Sequence, residues 1–285
     1  MMPTRNTEAK PVQFAAIAAE LGLHEPQVTG LRGGLANQSW RLRDGRLDLV
    51  LRHAGRGGVL GADRNAELAM LRIAAAAGLA PPIVLARPAE GLLVTRYIDG
   101  RVLSADELRQ HAMLVRIGKW FRLLHALSPP QGLTAIDFGA RAAQYLEQLN
   151  TRRSATILSR LKQGLEARRA SLPAPRRLVA CHHDLHHLNI VEQGDALIAL
   201  DWEYSGPGDP AADLAACIGY HSLDSGQTAA ILAGYGGDSR SLRTRLLALG
   251  WIFDCLWFGW LEIAARQGIA ADSSRRQLLI ARLLP

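Results

Sequence analysis

Apolar positions 12, 14, 15, 17, 18 and 21 recur at three- and four-residue steps and predict an amphipathic helix over 11–22, closed near Gly22. The period then shortens. Trp40 to Arg43 and Arg46 to Arg52 read as strands joined by Asp44-Gly45, a pair that readily adopts the positive φ of a two-residue hairpin turn. A Gly-rich stretch, 56–62, precedes an Ala- and Leu-rich helix over Asn65 to Ala77 that ends at Gly78. Pro81-Pro82 excludes continuation of that helix, and the apolar runs 83–86 and 92–97 flank a turn containing Pro88 and Gly91.

Beyond Asp99-Gly100 the period becomes helical. Ser104 is placed to cap one helix to about Leu127, Pro129-Pro130 breaks it, and 138–171 reads as another helical stretch. Short apolar pieces between Leu178 and Leu200 interrupt the helices, which resume from about Asp209 to the end. The pattern divides the chain into a β-rich lobe over 1–97 and a mainly helical lobe over 98–285. No repeat or low-complexity tract is present.

Composition narrows the class. At 285 residues and 48% hydrophobic the chain can enclose a large core, which excludes intrinsic disorder as its organising principle. The 33 Lys and Arg against 26 Asp and Glu leave +7, a balance that favours anionic partners. These charges are scattered without a basic run, so neither a polybasic membrane anchor nor a nucleic-acid stripe is expected. Nearly all the positive charge is arginine, the lysines being Lys10, Lys119 and Lys162. Cys181, Cys217 and Cys255 are odd in number and far apart, which argues against a disulfide framework or a cysteine zinc site. The first residues lack the apolar core of a signal peptide, and the apolar stretch 251–265 is interrupted by Asp254 and Glu262. A cytoplasmic protein without membrane or nucleic-acid partners is the expectation, its oligomeric state left open.

The densest polar segment runs from Cys181 to Asn189 and holds His182, His183, Asp184, His186 and His187. If Ile190-Val191 and Ala196 to Leu200 pair as a hairpin, Asn189 enters one strand where Asp201 leaves the other, and both side chains reach one end. An amide oxygen, a carboxylate and nucleotide phosphates make a hard, all-oxygen site of the kind Mg²⁺ prefers. Asp184, five positions before Asn189, is placed to accept the proton of an attacking hydroxyl. The four histidines also contain two i, i+4 pairs, a spacing that would suit zinc on a helix. Asp213 reads as an acid in the first turn of a helix that starts after Pro210.

His182-x-Asp184-x-x-x-x-Asn189, followed twelve residues later by Asp201-Trp202-Glu203, resembles the catalytic and metal-binding loops of protein-kinase-like phosphotransferases. The resemblance is to the aminoglycoside phosphotransferase and choline kinase branch, including choline- and thiamine-kinase-like proteins. It implies an α+β, bilobal fold with a small β-rich N-lobe and a larger helical C-lobe, ATP as co-substrate and Mg²⁺ on Asn189 and Asp201. It further implies Asp184 as the catalytic residue, Gly33, Gly34 and Asn37 in the nucleotide loop, and Arg52 as the strand cation with Glu67 its partner. Arg52 departs from the general lysine of kinases. The strand and hinge around Thr95 and Tyr97 would hold adenine through backbone groups. Glu203, Trp257 and Trp260 are candidates to face the acceptor, since a quaternary ammonium or thiazolium binds well against aromatic faces and an acid. The function so implied is phosphorylation of a hydroxyl on a small cationic metabolite such as choline, ethanolamine or thiamine. The alternatives are an aminoglycoside or sugar kinase, or a non-catalytic nucleotide-binding regulator.

Overall fold

The computed structural model describes residues 14–31, 37–54, 63–149, 155–268 and 273–284. In chain order the elements are α1 (Phe14–Glu20), β1 (Gln27–Leu31), β2 (Asn37–Arg43), β3 (Asp48–Ala54), α2 (Arg64–Ala76), β4 (Ile83–Arg87), β5 (Leu92–Arg96) and β6 (Arg101–Val102). There follow α3 (Ala105–Leu108), α4 (His111–Ala126), α5 (Phe138–Gln148), α6 (Ala155–Ser171), β7 (Val179–Cys181), β8 (Ile190–Gln193), β9 (Ala196–Ala199) and β10 (Gly206–Gly208). The chain closes with α7 (Pro210–His221), α8 (Ser225–Tyr235), α9 (Arg240–Arg266) and α10 (Ser273–Leu283). Two compact units result, one of residues 1–103 with 188–205, the other of 104–187 with 206–285.

The first unit is built on a five-stranded antiparallel sheet in the order β1-β2-β3-β5-β4. Alternate residues Trp40, Leu42, Leu49, Leu51, Leu92 and Val94 turn inward and pack with Ile17 and Ala18 of α1. Burying each large side chain contributes about 1.5–3 kcal/mol, which fixes the register because a one-residue slip would expose the whole set. The β2–β3 connection is longer than the two residues expected. Arg43 pairs with Asp48, and Asp44 closes the four-residue turn by accepting the amides of Arg46 (3.0 Å) and Leu47 (2.8 Å). Asp63 caps α2, accepting the amides of Asn65 and Ala66. The expected Gly-rich segment 56–62 lies outside the described residues.

The hairpin β8–β9 belongs to this unit although the helical lobe was expected to contain it. Its backbone explains why: β6 pairs with β8, Leu103 donates its amide to Ile190, and Ala199 donates to the carbonyl of Leu79 at 2.9 Å.

In the second unit the single helix expected from Ser104 to Leu127 is broken. Ser104 and Glu107 form a reciprocal cap on α3, but Gln110 turns extended and α4 begins afresh. Residues 138–171 likewise form two helices, α5 and α6. Where α4 meets α8 the backbones nearly touch: a Cβ at Gly118 would stand 2.1 Å from the Ile231 carbonyl oxygen, and one at Gly234 2.1 Å from that of Val115. Only glycine permits this approach. Helix α9 is long and apolar enough to span a membrane, yet it lays Leu249, Ile252, Phe253, Phe258 and Leu261 into the interior and packs against α5 and α7. It is the core helix of this unit.

Candidate functional site

Within the first unit, β8 and β9 pair from Ile190↔Ala199 to Gln193↔Ala196, and the Leu200 amide donates to the Asn189 carbonyl at 2.8 Å. Asn189 and Asp201 therefore sit at the same end of one hairpin, as the spacing predicts. Asp201 adopts a left-handed backbone, φ 58°, which Asp tolerates better than most residues. Its carboxyl is pushed up to about 6, chiefly by burial and then by the neighbouring Glu203, with Arg52 pulling the other way.

Arg52 on β3 divides its guanidinium. Nη1 lies 3.3 Å from Asp201 Oδ1, while Nη2 bonds Glu67 Oε1, so the expected Arg52–Glu67 pair is present. Glu67 is almost fully buried, and its second oxygen accepts from Arg64 Nη1 at 2.8 Å. Arg64 Nη1 also stands 3.5 Å from Glu203 Oε2, and its Nη2 donates to Asn37 Oδ1 at 3.2 Å. Asn37 closes the ring by donating to Glu203 at 3.0 Å. Glu203, expected to face an acceptor, bonds Asn37 and stands beside Arg64 through its Oε2. Arg64 escaped the sequence reading because its partners come from β2, α2 and the segment after β9.

Two arginines against Glu67, Asp201 and Glu203 leave this cluster one negative charge in excess. That excess, with the hard oxygens of Asn189 and Asp201, fits a divalent cation of the Mg²⁺ type. Gly33 and Gly34 lie outside the described residues. Thr95 is buried on β5 between Val50 and Ile83. Tyr97 donates its amide to the Asp48 carbonyl at 2.9 Å and carries the Arg41 guanidinium 3.6 Å above its ring.

Within the second unit, the segment carrying Asp184 is irregular, not helical, so the i, i+4 histidine pairs share no helix face. Its anchor is Asp213, fully buried on α7, which accepts the amides of His182 (2.9 Å) and His183 (2.5 Å) and bonds His125 Nε2 (3.1 Å). Burial works to raise the Asp213 pKa, but the bond from His125 and the fields of His183 and His182 prevail and hold it at about 2. His182 plays a structural part, its Nδ1 accepting the Asp184 amide at 3.3 Å. His183, at φ 67°, packs its ring on Phe138.

Among the described residues the one metal-capable group of His, Cys and acid side chains is His125, Cys181 and Asp213. There the imidazole bonds the carboxylate directly, and the Cys181 thiol, pushed up by burial, donates to the Asp209 carbonyl. All three cysteines are free and buried.

Asp184 Oδ2 lies 3.9 Å from His186 Nε2. Burial, then the fields of His187, His182 and Arg275, lower His186 to about 3, so this contact joins a carboxylate to a neutral ring. His186 stacks on Tyr220 (4.7 Å, 17°), Tyr220 meets Trp257 edge-on at 5.7 Å, and Trp257 meets Trp260 at 5.7 Å. Both tryptophans are half-buried, and the Arg275 guanidinium sits 4.4 Å over the Tyr220 ring. Trp202 by contrast is core, its Nε1 donating to Ala199.

A profile of the phosphotransferase enzyme family matches residues 27–247. A thiamine kinase of Salmonella gallinarum is 34% identical over 142 residues, 49% of this chain and 47% of its own length; one of Salmonella typhi is 36% identical over 145. The chain spans about half the length of these curated relatives. A crystal structure of a choline/ethanolamine kinase family protein from Mesorhizobium loti superposes with TM-score 0.74 at 28% identity, covering 95% of this chain and 94% of that one. Choline kinase from Streptococcus pneumoniae gives TM-score 0.78 at 22% identity over 94% and 98% of the two chains, a likeness of fold.

Proposed function

The chain belongs to the phosphotransferase enzyme family, and from that premise we propose that it transfers the γ-phosphate of ATP to a hydroxyl of a small cationic metabolite, of the choline, ethanolamine or thiamine kind. The observation that carries this reading is the hairpin end shared by Asn189 and Asp201, with the Arg52 guanidinium on Asp201. The excess negative charge of that cluster suits a magnesium ion on those two oxygens. Bound there, the ion would supply positive charge to the phosphates.

Phosphoryl transfer proceeds through a loose transition state in which charge collects on the migrating group, so positioning and electrostatics do most of the work. Arg52 would hold phosphate oxygens through a planar fork that stays charged at every working pH. Glu67 keeps that fork in place. Backbone amides around Gly33 and Gly34 would cover the phosphates, and the segment from Thr95 to Tyr97 would border the adenine. Asp184 would orient the acceptor hydroxyl and take its proton late, when the bond to phosphorus is forming.

The names of the relatives support a cationic acceptor, as do the aromatic faces of Tyr220 and Trp257, which already seat one cation in Arg275. Trp257 and Trp260 are the residues we assign to that wall.

Purified protein with ATP and Mg²⁺, offered choline, ethanolamine, thiamine, an aminoglycoside and a simple sugar, tests the proposal. Transfer to one of the three cationic alcohols is expected. Transfer only to the aminoglycoside or sugar would overturn the acceptor assignment, and nucleotide-induced thermal stabilisation with no transfer would make the protein a binder.

A further inference from the structure

Arg64 occupies the first position of α2, where the helix macrodipole disfavours a cation, and the cap is already supplied by Asp63. Helix formation therefore gives no reason for an arginine here. The reason lies in three side chains it reaches: Glu67, Glu203 and Asn37.

The consequence for Arg52 is geometric. A carboxylate that faces one guanidinium alone tends to take it bidentately, both oxygens on one fork. Glu67 does not, because Arg64 holds its Oε2 and leaves only Oε1 for Arg52 Nη2. Arg52 Nη1 is thereby left to Asp201. The same Arg64 braces the direct bond from Asn37, at the start of β2, to Glu203, two residues beyond Asp201, by reaching both side chains. One side chain thus sets the aim of the strand cation and the register of the segment bearing the metal ligand.

We propose that Arg64 is a positioning residue for phosphate and metal binding, acting through Glu67 and Glu203. It keeps Arg52 singly bonded to Glu67 and the Asp201–Glu203 segment joined to the nucleotide-loop end of β2. This deepens the reading above and rests on it.

The test compares Arg64→Gln, Arg64→Lys, Glu203→Gln and the double variant R64Q/E203Q with wild type. The readouts are KM for MgATP, kcat, the Mg²⁺ activation midpoint and the melting temperature. R64Q is expected to raise KM for MgATP about tenfold and to move the Mg²⁺ midpoint upward, with kcat changed much less. R64K restores less than half of this, because an ammonium carries the charge without the fork. The double variant is no worse than the poorer single one, since both cut the same chain of contacts.

A residue that merely holds the fold would lower the melting temperature and leave the Mg²⁺ midpoint alone. Unchanged KM and midpoint in R64Q, full rescue by lysine, or additive effects would each overturn the inference. Should R64Q not fold, E203Q carries the same test, and an unaltered Mg²⁺ midpoint in it is equally fatal. The wild type separates the two levels. If it transfers phosphate while R64Q matches it, the Arg64 inference alone fails. If wild type transfers to no acceptor, Mg²⁺-dependent binding of a fluorescent ATP analogue replaces KM as the readout. If it binds none, the functional reading falls and this inference with it.

Discussion

Asp213 gives the sharpest quantitative prediction. Its carboxylate accepts two backbone amides, from His182 and His183, with no access to solvent. Asp213→Ala leaves both donors buried without an acceptor, at about 1–3 kcal/mol each, so a loss of about 4 kcal/mol is expected. For a chain of this size that lowers the melting temperature by about 10 °C. Acid provides an independent handle. The folded carboxyl sits at about 2 against an ordinary 3.8, so the unfolded chain takes up the proton first as pH falls. The associated stability, about 2 kcal/mol, is whole above about pH 5 and drains between about pH 4 and 2. Melts followed by far-UV circular dichroism at neutral and acid pH measure both terms. Asp213→Asn, which keeps one acceptor oxygen, falls between. A D213A protein that melts within about 2 °C of wild type would refute the anchoring argument.

Other outcomes follow from the same structure. Asp184→Ala loses about 10²- to 10⁴-fold in turnover while its affinity for nucleotide is unchanged, checked by steady-state kinetics beside a nucleotide titration; full activity would remove Asp184 from the reaction. His186 and His221 are held at about 3, first by burial and then by neighbouring His187 and Arg275 among others, so the unfolded chain binds their protons first. Stability to urea is therefore complete above about pH 6.5 and is lost on acidification towards pH 3, by up to about 1.4 kcal/mol per pH unit for each ring. His221→Gln flattens that slope, and an unaltered slope would show that its neutral burial is not the cause. Gly234→Ala forces a methyl group against the Val115 carbonyl and costs about 3 kcal/mol, whereas Gly250→Ala, in α9 with nothing within 4 Å of its Cβ, gains up to about 1 kcal/mol in a thermal melt.

Local signals were legible where a neighbour in sequence is also the neighbour in space. The pairing of β2 with β3 and the hairpin carrying Asn189 and Asp201 followed from periodicity, turn residues and motif spacing, and the Arg52–Glu67 pair from the family resemblance. The lengths of the turn and of the helices did not. The four-residue turn depends on Asp44 reaching two amides, and the break after α3 has Arg109 bonding the distant carbonyl of His221. Arg64, His125 and Asp213 were missed or read as ordinary helix residues because each draws its partners from elements far along the chain. Glu203, a candidate for the acceptor on the strength of its charge, has partners that the sequence does not reveal either: Asn37 and an arginine 139 positions away.

What Asp213 grips has a consequence for how this loop tolerates change. Amide protons are common to every residue but proline, so the two backbone bonds to Asp213 do not by themselves select the side chains at 182 and 183. Selection at these positions comes from beside this clasp: His182 Nδ1 holds the Asp184 amide and position 183 carries a left-handed φ of 67°, while the clasp itself rejects proline at either one, since proline has no amide proton.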